Sequence, residues 1–450
     1  MLTNEVVLSI IVLLSLSLLR INVVISLIIS ALTAGLLGNM GLEKTIQTFT
    51  SGLGGGAEIA MNYAVLGAFA VAIMRSGITD ILSLRIIEKL GKTPDAQRLK
   101  KFRNIIFATL LAFAISSQNL LPVHIAFIPI VVPPLLEIFN KLNIDRRAVA
   151  CVLTFGLTAT YMILPVGFGK IFIESVLVDN INKAGADLGL KTSVAQVSFA
   201  MLIPVVGMIL GLLAAVFLTY RKPRIYKESE KKADTKDIEE RIRKISPFRA
   251  ATTATAVITA FAIQLFTNST IVGALMGLFI FCIGGVFKPN QSSDVLQEGL
   301  RIMAMIGFVM IAASGYATVI KATGGVNELV NSFAITLGDN KSLASFLMLL
   351  VGLLITMGIG SSFSTVPIIS SIYVPLCISL GFSTTATVCI VGVAAALGDA
   401  GSPASDSTLA PTAGLNIDGQ HDHIWDSVVP TFIHYNIPLI MFGWLASMLL

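Results

Sequence analysis

Apolar runs long enough to cross a bilayer as helices alternate along the chain with short polar interruptions. Residues 6–19 and 23–40 are paired spans divided only by Arg20-Ile21-Asn22. A Gly-rich connection, 41–56, contains an amphipathic piece, and 57–74 is the third span. At 78–90 apolar residues recur at helical spacing with charges between them, the pattern of an interfacial helix. Residues 104–115 are apolar but too short to cross, 125–139 are apolar again, and 116–124 between them are polar. Two half-length arms with a polar tip predict a re-entrant hairpin. Residues 148–161 enter the membrane and meet a Pro/Gly interruption at 162–169, and 194–218 form a long span.

The second half follows the same plan. Paired spans at 250–266 and 271–287 precede a span at 302–320 and an amphipathic piece at 327–337. Apolar arms at 343–357 and 368–380 flank a second polar tip, 358–367, and the last span lies within 426–450. Ser116-Ser117-Gln118-Asn119-Leu120-Leu121-Pro122 aligns with Ser361-Ser362-Phe363-Ser364-Thr365-Val366-Pro367 at an offset of 245, and residues 77–82 align with 325–330 at 248. Two similar offsets indicate an internal duplication.

Composition fixes the class. The chain of 450 residues is 55% hydrophobic and 13% charged, against about 25% charged in soluble domains. It is an all-α polytopic membrane protein whose first partner is the lipid bilayer. The net charge of +5 sits in a few loops and speaks of topology, not of nucleic acid. Its four cysteines all lie in apolar segments and form no CxxC pair.

Basic loops flank the first hairpin, and a linker at 221–249 carries more Lys/Arg than Asp/Glu. Around the second hairpin the charges are sparse, with none at 381–385. The positive-inside rule therefore brings the first hairpin in from the cytoplasm and the second from outside. Each half then has five spans and one hairpin, and the halves, 1–220 and 250–450, are inverted repeats with both termini outside. Inverted repeats with broken helices at mid-membrane are a plan of secondary transporters.

The candidate chemistry centres on Leu397-Gly398-Asp399-Ala400-Gly401-Ser402-Pro403-Ala404-Ser405-Asp406-Ser407-Thr408, which interrupts a long apolar region. Pro403 breaks the helix, and an Asp at membrane depth costs about 2.5–3.5 kcal/mol on insertion scales, which marks function. Asp399 and Asp406 are candidate ion carriers, with Ser402 and Ser405 beside them; helix capping by Ser405 or Asp406 is the structural alternative. The first tip contributes Ser116, Ser117, Gln118, Asn119 and His124, the second Ser361, Ser362, Ser364 and Thr365, and the first break Pro165 and Gly167. Helix N-termini at the tips suit an anionic group. Hydroxyl and amide oxygens suit Na+, with Asn119, Ser362, Thr365 and Asp399 as the candidate ligands. His421-Asp422-His423 resembles a metal fragment, but nothing nearby completes a ligand set, so a solvated loop is expected.

An intramembrane aspartyl protease would need Gly-x-Gly-Asp and a second Asp at mid-depth in a separate span. Here the run is Ala396-Leu397-Gly398-Asp399, and no such second Asp is present. A channel is disfavoured by two inverted hairpins, which suit alternating access.

The duplicated hairpin and broken helix resemble the ion-transporter superfamily, whose tips carry Ser-Asn-Thr; Ser117-Gln118-Asn119 and Ser362-Phe363-Ser364-Thr365 are similar to it. The stretch Gly398 to Ser407 most resembles the bacterial Na+/H+ antiporter family of the NhaC type, in the branch to which histidine permeases are also assigned. The resemblance implies a homodimer in the cytoplasmic membrane, with a fixed scaffold and a transport domain moving as an elevator. It implies no cofactor beyond Na+ or H+ as coupling ions. Na+/H+ exchange leads, and the alternative is Na+- or H+-coupled uptake of an amino acid-like solute such as histidine.

Overall fold

The computed structural model describes residues 4–19, 21–77, 96–119, 128, 131–227, 247–267, 269–325, 328, 340–359 and 362–450. Every regular element among them is helical. The expected helix at 78–90, the piece at 327–337, His124, Ser361 and most of the 221–249 linker lie outside the described residues.

Local chemistry sets the boundaries. α1 (Glu5–Leu18) and α2 (Val23–Leu37) each begin at an asparagine: Asn4 and Asn22 accept hydrogen bonds from the backbone of Val6 and Val24. Such caps satisfy N–H groups that a helix start leaves orphaned, so Asn22 divides one apolar run into two helices. The amphipathic piece is α3 (Leu42–Gly52), and α4 (Gly54–Ser76) follows. α5 (Ala96–Asn119) runs through the first polar tip as far as Asn119.

Two bundles result. In one, α4 lies antiparallel to α11 (Ser292–Thr323), joined at one end by Arg75 and Glu298 at 2.7 Å and at the other by Ser314 donating to the Gly52 carbonyl at 2.8 Å. α9 (Pro247–Thr267) and α10 (Thr270–Ile283) complete it, with Phe69 and Phe281 at 5.4 Å between centroids and Ala256, Ala260 and Ala274 around them.

The other bundle contains α5, α6 (Arg146–Thr158), the interrupted runs 168–185 (α7) and 194–219 (α8), and α12 (Lys341–Ile359). With them pack α13 (Ser362–Ser379), α14 (Thr384–Ala396), α15 (Asp406–Leu415) and α16 (His423–Leu449). α2 packs on α11, and α1 packs on both α2 and α12, so α1 links the two bundles, as does the contact of α11 with α12.

Five helical stretches among the described residues are long and apolar enough to cross a membrane, and shorter apolar helices accompany them. Along α8, Leu202, Val206, Ile209, Leu213 and Phe217 form an exposed stripe, as do Ile433, Ile437, Met441 and Leu445 on α16. Burying such a side chain out of water is worth about 1.5–3 kcal/mol, so these stripes suit hydrocarbon.

One end of the second bundle is held by charge. Arg146 is fully buried and bidentate on Asp418, at 2.6 and 2.5 Å, and also donates to the Leu415 carbonyl and to Asn140. Its guanidinium lies 4.3 Å from the Tyr226 ring, and Arg224 pairs with Asp426 at 2.6 Å. Arg224 and Tyr226 of the charged linker are therefore docked, while residues 221–223, 225 and 227 stay exposed. Burial works to raise the Asp418 proton affinity, but the Arg146 hydrogen bonds outweigh it and hold the carboxyl below its usual range.

The opposite end carries the C-terminus. Ser383 caps α14 and donates to the Leu450 carbonyl at 2.8 Å. The 13 and 10 residues of α14 and α15, at about 1.5 Å each, account for about 34 Å between these ends. Cys151, Cys377 and Cys389 are buried, so a Cys282→Ser background permits site-directed labelling. Single cysteines at Asn340 and Ser383 are expected to react with an impermeant maleimide on intact cells. Those at Asn143 and Lys222 should react only after permeabilisation, and labelling of all four from one side would refute the two-ended arrangement.

Candidate functional site

The site is built where helices stop. Between α14 and α15 the chain leaves the helix from Leu397 to Ser405, with Pro403 lacking an N–H. Gly401 has φ +108, and a Cβ there would sit 2.6 Å from the Phe432 Cα. Only glycine meets both demands. On α16 the π-helical segment Phe432–Asn436 faces this break. Asn436 accepts from the Gly398 N–H at 2.9 Å and donates to the Ala400 carbonyl, satisfying backbone that has no water to turn to.

The first half has its own break, between α6 and α7. Gly167 has φ +57, and a Cβ on it would collide with the Asn119 carbonyl. Asn119 donates to Thr160 at 2.6 Å, which ties the end of α5 to this break.

These pieces converge on Asp399. Tyr161, from the first break, donates to Asp399 Oδ2 at 2.5 Å, and Ser362, the first residue of α13, donates to the same oxygen at 3.1 Å. Ser405 donates to Oδ1 at 3.2 Å and also caps α15 by accepting from the Ser407 N–H. The Tyr161 ring is fixed edge-on by Phe172 at 4.7 Å. A carboxylate 9% exposed thus receives three hydroxyl donors from three separate segments. Hydrogen bonds to an ionised carboxylate are worth about 1.5–3 kcal/mol each, which offsets part of the cost of burying it.

Asp406 differs. Its Oδ1 is buried and has no hydrogen-bond partner among the described residues, and the same holds for Gln118 Oε1 and Asn119 Oδ1. All three are acceptors, the kind of group that can bind a hard cation. Asp406 lies within electrostatic range of Asp399.

The remaining expected residues are placed as follows. Ser117 is satisfied by its own helix through the Ala114 carbonyl at 2.9 Å, and Ser116 is half-buried one residue before it. Thr365 is fully buried, and the Ser364 side chain lies outside the described residues. Ser402 accepts from the Ala404 N–H inside the break, while Pro165 is exposed. Ser116 to Asn119 are the last described residues of α5, and the start of the arm that follows this tip lies outside the described residues. The N-terminus expected at the second tip is present, at Ser362.

The sequence reading misplaced the His421–His423 loop in solvent. His421 is buried against Ser427 at 2.8 Å, and burial pushes its imidazole down to about 3, so it stays neutral. His423 donates to the Pro403 carbonyl at 2.8 Å and supports the break. No group of three metal-ligating side chains occurs among the described residues. Tyr161 and Asn436 were missed. Their signal was a polar side chain beside a helix-breaking run and an Asn within the last apolar span.

Comparison with known proteins agrees with this geometry. A Na+/H+ antiporter family model matches residues 152–444, and a Na+-H+ antiporter family model matches residues 4–90. The chain is 70% identical to an "Uncharacterized membrane protein" of Haemophilus influenzae, covering 100% of both. It is 49% identical to the Bacillus subtilis "Putative amino acid transporter YuiF", covering 99% of this chain and 100% of the relative. Among solved structures, the YdaH transporter of Alcanivorax borkumensis has a TM-score of 0.42 at 15% identity, covering 91% of this chain and 88% of that one. The fold and the relatives define a multi-pass membrane transporter, not an enzyme. The chain belongs to the Na+/H+ antiporter family.

Two substitutions probe the site. Asp399→Asn removes a buried charge and should insert and fold normally yet lose transport; wild-type flux from the purified variant would reduce Asp399 to a packing role. Asn436→Ala leaves the Gly398 N–H and the Ala400 carbonyl unpaired, at about 1–3 kcal/mol each. Its thermal unfolding midpoint in detergent should fall clearly below that of Asp399→Asn, and an unchanged midpoint would show that the break finds other partners.

Proposed function

We propose that the protein is a cation-coupled secondary transporter of the cytoplasmic membrane that exchanges Na+ against H+ at Asp399, with Asp406 as a second carboxylate. The observation that carries this reading is the convergence of Tyr161, Ser362 and Ser405 on one carboxylate buried between two helix breaks. A proton or a Na+ can satisfy that carboxylate, and each excludes the other, which is the requirement for exchange. The unpartnered oxygens of Gln118, Asn119 and Asp406 support a cation as cargo.

Alternating access follows by an elevator motion in this proposal. The bundle of α4, α9, α10 and α11 is the scaffold of a homodimer, and the bundle holding Asp399 moves against it. The inverted-repeat division at 1–220 and 250–450 is supported by the antiparallel course of α4 and α11, which hold matching positions in the two halves.

A second reading has its own support. The Bacillus subtilis relative is named as an amino acid transporter, and the polar groups at the tips exceed what one small ion requires. In that case the α13 N-terminus at Ser362 receives a solute carboxylate and Asp406 its amine.

Reconstitution separates the two. In liposomes carrying an internal pH dye, Na+ added alone should drive proton movement if exchange is correct. Accumulation of a labelled amino acid, histidine included, that collapses with the ion gradient and shows no Na+-triggered pH change alone would overturn it in favour of uptake.

A further inference from the structure

A cavity of about 200 Å³ lies on the seam between the bundles. Ser17 of α1, Val23 of α2, Val309 of α11 and Leu409 of α15 line it, with Asp422 and Trp425 at the start of α16. Tyr161, Ser362, Asp399 and Ser405 do not, so it is separate from the Asp399 cluster. Ser17, Val309 and Leu409 are almost fully buried while Asp422 and Trp425 are exposed, so the cavity leads inward from the surface. At about 30 Å³ per water it has room for about six waters, or for a small organic solute.

Two groups in its wall have bonding capacity that the protein does not use. Ser17 is 1% exposed, and its hydroxyl has no hydrogen-bond partner among the described residues. A helical serine ordinarily bonds back to its own helix, as Ser9 of α1 does to the Val6 carbonyl at 2.8 Å. Asp422 caps α16 by accepting from the Trp425 N–H at 2.7 Å, yet no Lys or Arg pairs with it among the described residues. α1 packs directly on residues 423–428, so Ser17 and Asp422 stand on adjoining walls. No Lys or Arg lines the cavity, so an anion would meet Asp422 without a counter-charge. A bare metal ion would leave the apolar walls unused.

We infer that this cavity binds the ammonium group of a small organic solute, held by Asp422 and Ser17, with its apolar body against Val309 and Leu409. An ammonium group has three N–H donors, enough to serve the carboxylate and the serine oxygen together. Trp425 adds an indole, the side chain that attracts organic cations most strongly. Because the walls come from both bundles, a bound amine bridges α2 and α11 to α15 and holds this arrangement of the seam. Its binding does not depend on which ion Asp399 exchanges.

Thermal unfolding of the purified full-length protein, titrated with n-butylamine hydrochloride at constant Na+, tests this. The amine should raise the unfolding temperature saturably, while n-butanol and butyrate, which share its body but not its charge, should not. Asp422→Asn keeps the helix cap, since Asn and Asp cap alike, and should raise the half-saturating concentration at least about tenfold. Ser17→Ala should raise it about fivefold, with ligand-free stability unchanged or higher. Asp399→Asn should leave it unchanged. A parallel titration with leucine separates two sources of the ammonium group. A leucine response that Asp422→Asn and Ser17→Ala both weaken assigns it to amino acids, and a response to butylamine alone assigns it to simple amines. A wild type indifferent to both overturns the site, as does an equal response to butanol or butyrate. An unchanged half-saturating concentration in either Asp422→Asn or Ser17→Ala overturns it too. A response abolished by Asp399→Asn would place the ligand at the Asp399 cluster and overturn the separate cavity. Absence of Na+-driven proton movement in liposomes would count against exchange alone and leave this site standing.

Discussion

Backbone that leaves the helix at membrane depth must find every hydrogen bond inside the protein, and the second bundle is arranged around that demand. At the 397–405 break the accounting is nearly complete. Thr356 donates to the carbonyls of Ala394 and Ala395, Asn436 serves Gly398 and Ala400, and Thr408 donates to the Ser402 carbonyl at 2.6 Å. His423 takes the Pro403 carbonyl, and Ser402 and Ser405 accept from the N–H groups of Ala404 and Ser407. Partners come from α12, α15 and α16, so these helices are fixed to one another through the break. A kink that would otherwise be a weak point becomes the most heavily bonded stretch of the bundle.

The charges around Arg146 extend this rigidity. Arg146 begins α6 and Asp418 follows α15, so their bidentate pair joins the entrance of one broken helix to the exit of the other. Breaking one partner of a buried pair costs about 3–5 kcal/mol, because a charge is left stranded. Arg224 and Tyr226 add the start of the linker to the same cluster. The linker thus leaves from the body that carries Asp399 and leads to α9, in the other bundle. A chain connection between bundles, anchored firmly on one side, is compatible with relative motion of the two.

The apolar rhythm of the sequence made the helices, both breaks and the carboxylate at 399 legible, because each depends on local composition: Pro403, Gly167 and a charge amid apolar residues. What escaped depends on distance in the chain. Tyr161 lies 238 positions from the carboxylate it serves, and Asn436 lies 36 and 38 positions from the groups it bonds. Neither residue type is unusual in an apolar span, so only the folded contacts assign them. His423 was misread for the same reason. Its loop is polar by composition, yet the Arg146–Asp418 pair draws it inward.

The two aspartates of the break divide along the same physical line. Asp399 has its hydroxyl donors supplied from three segments of the second bundle. Asp406 begins α15, where the helix dipole favours a negative charge, but its inner oxygen has no donor. A site with both kinds of carboxylate is graded. One has its hydroxyl donors in place, and the inner oxygen of the other has none among the described residues. The satisfied one lies between the breaks, where the protein itself supplies what water would.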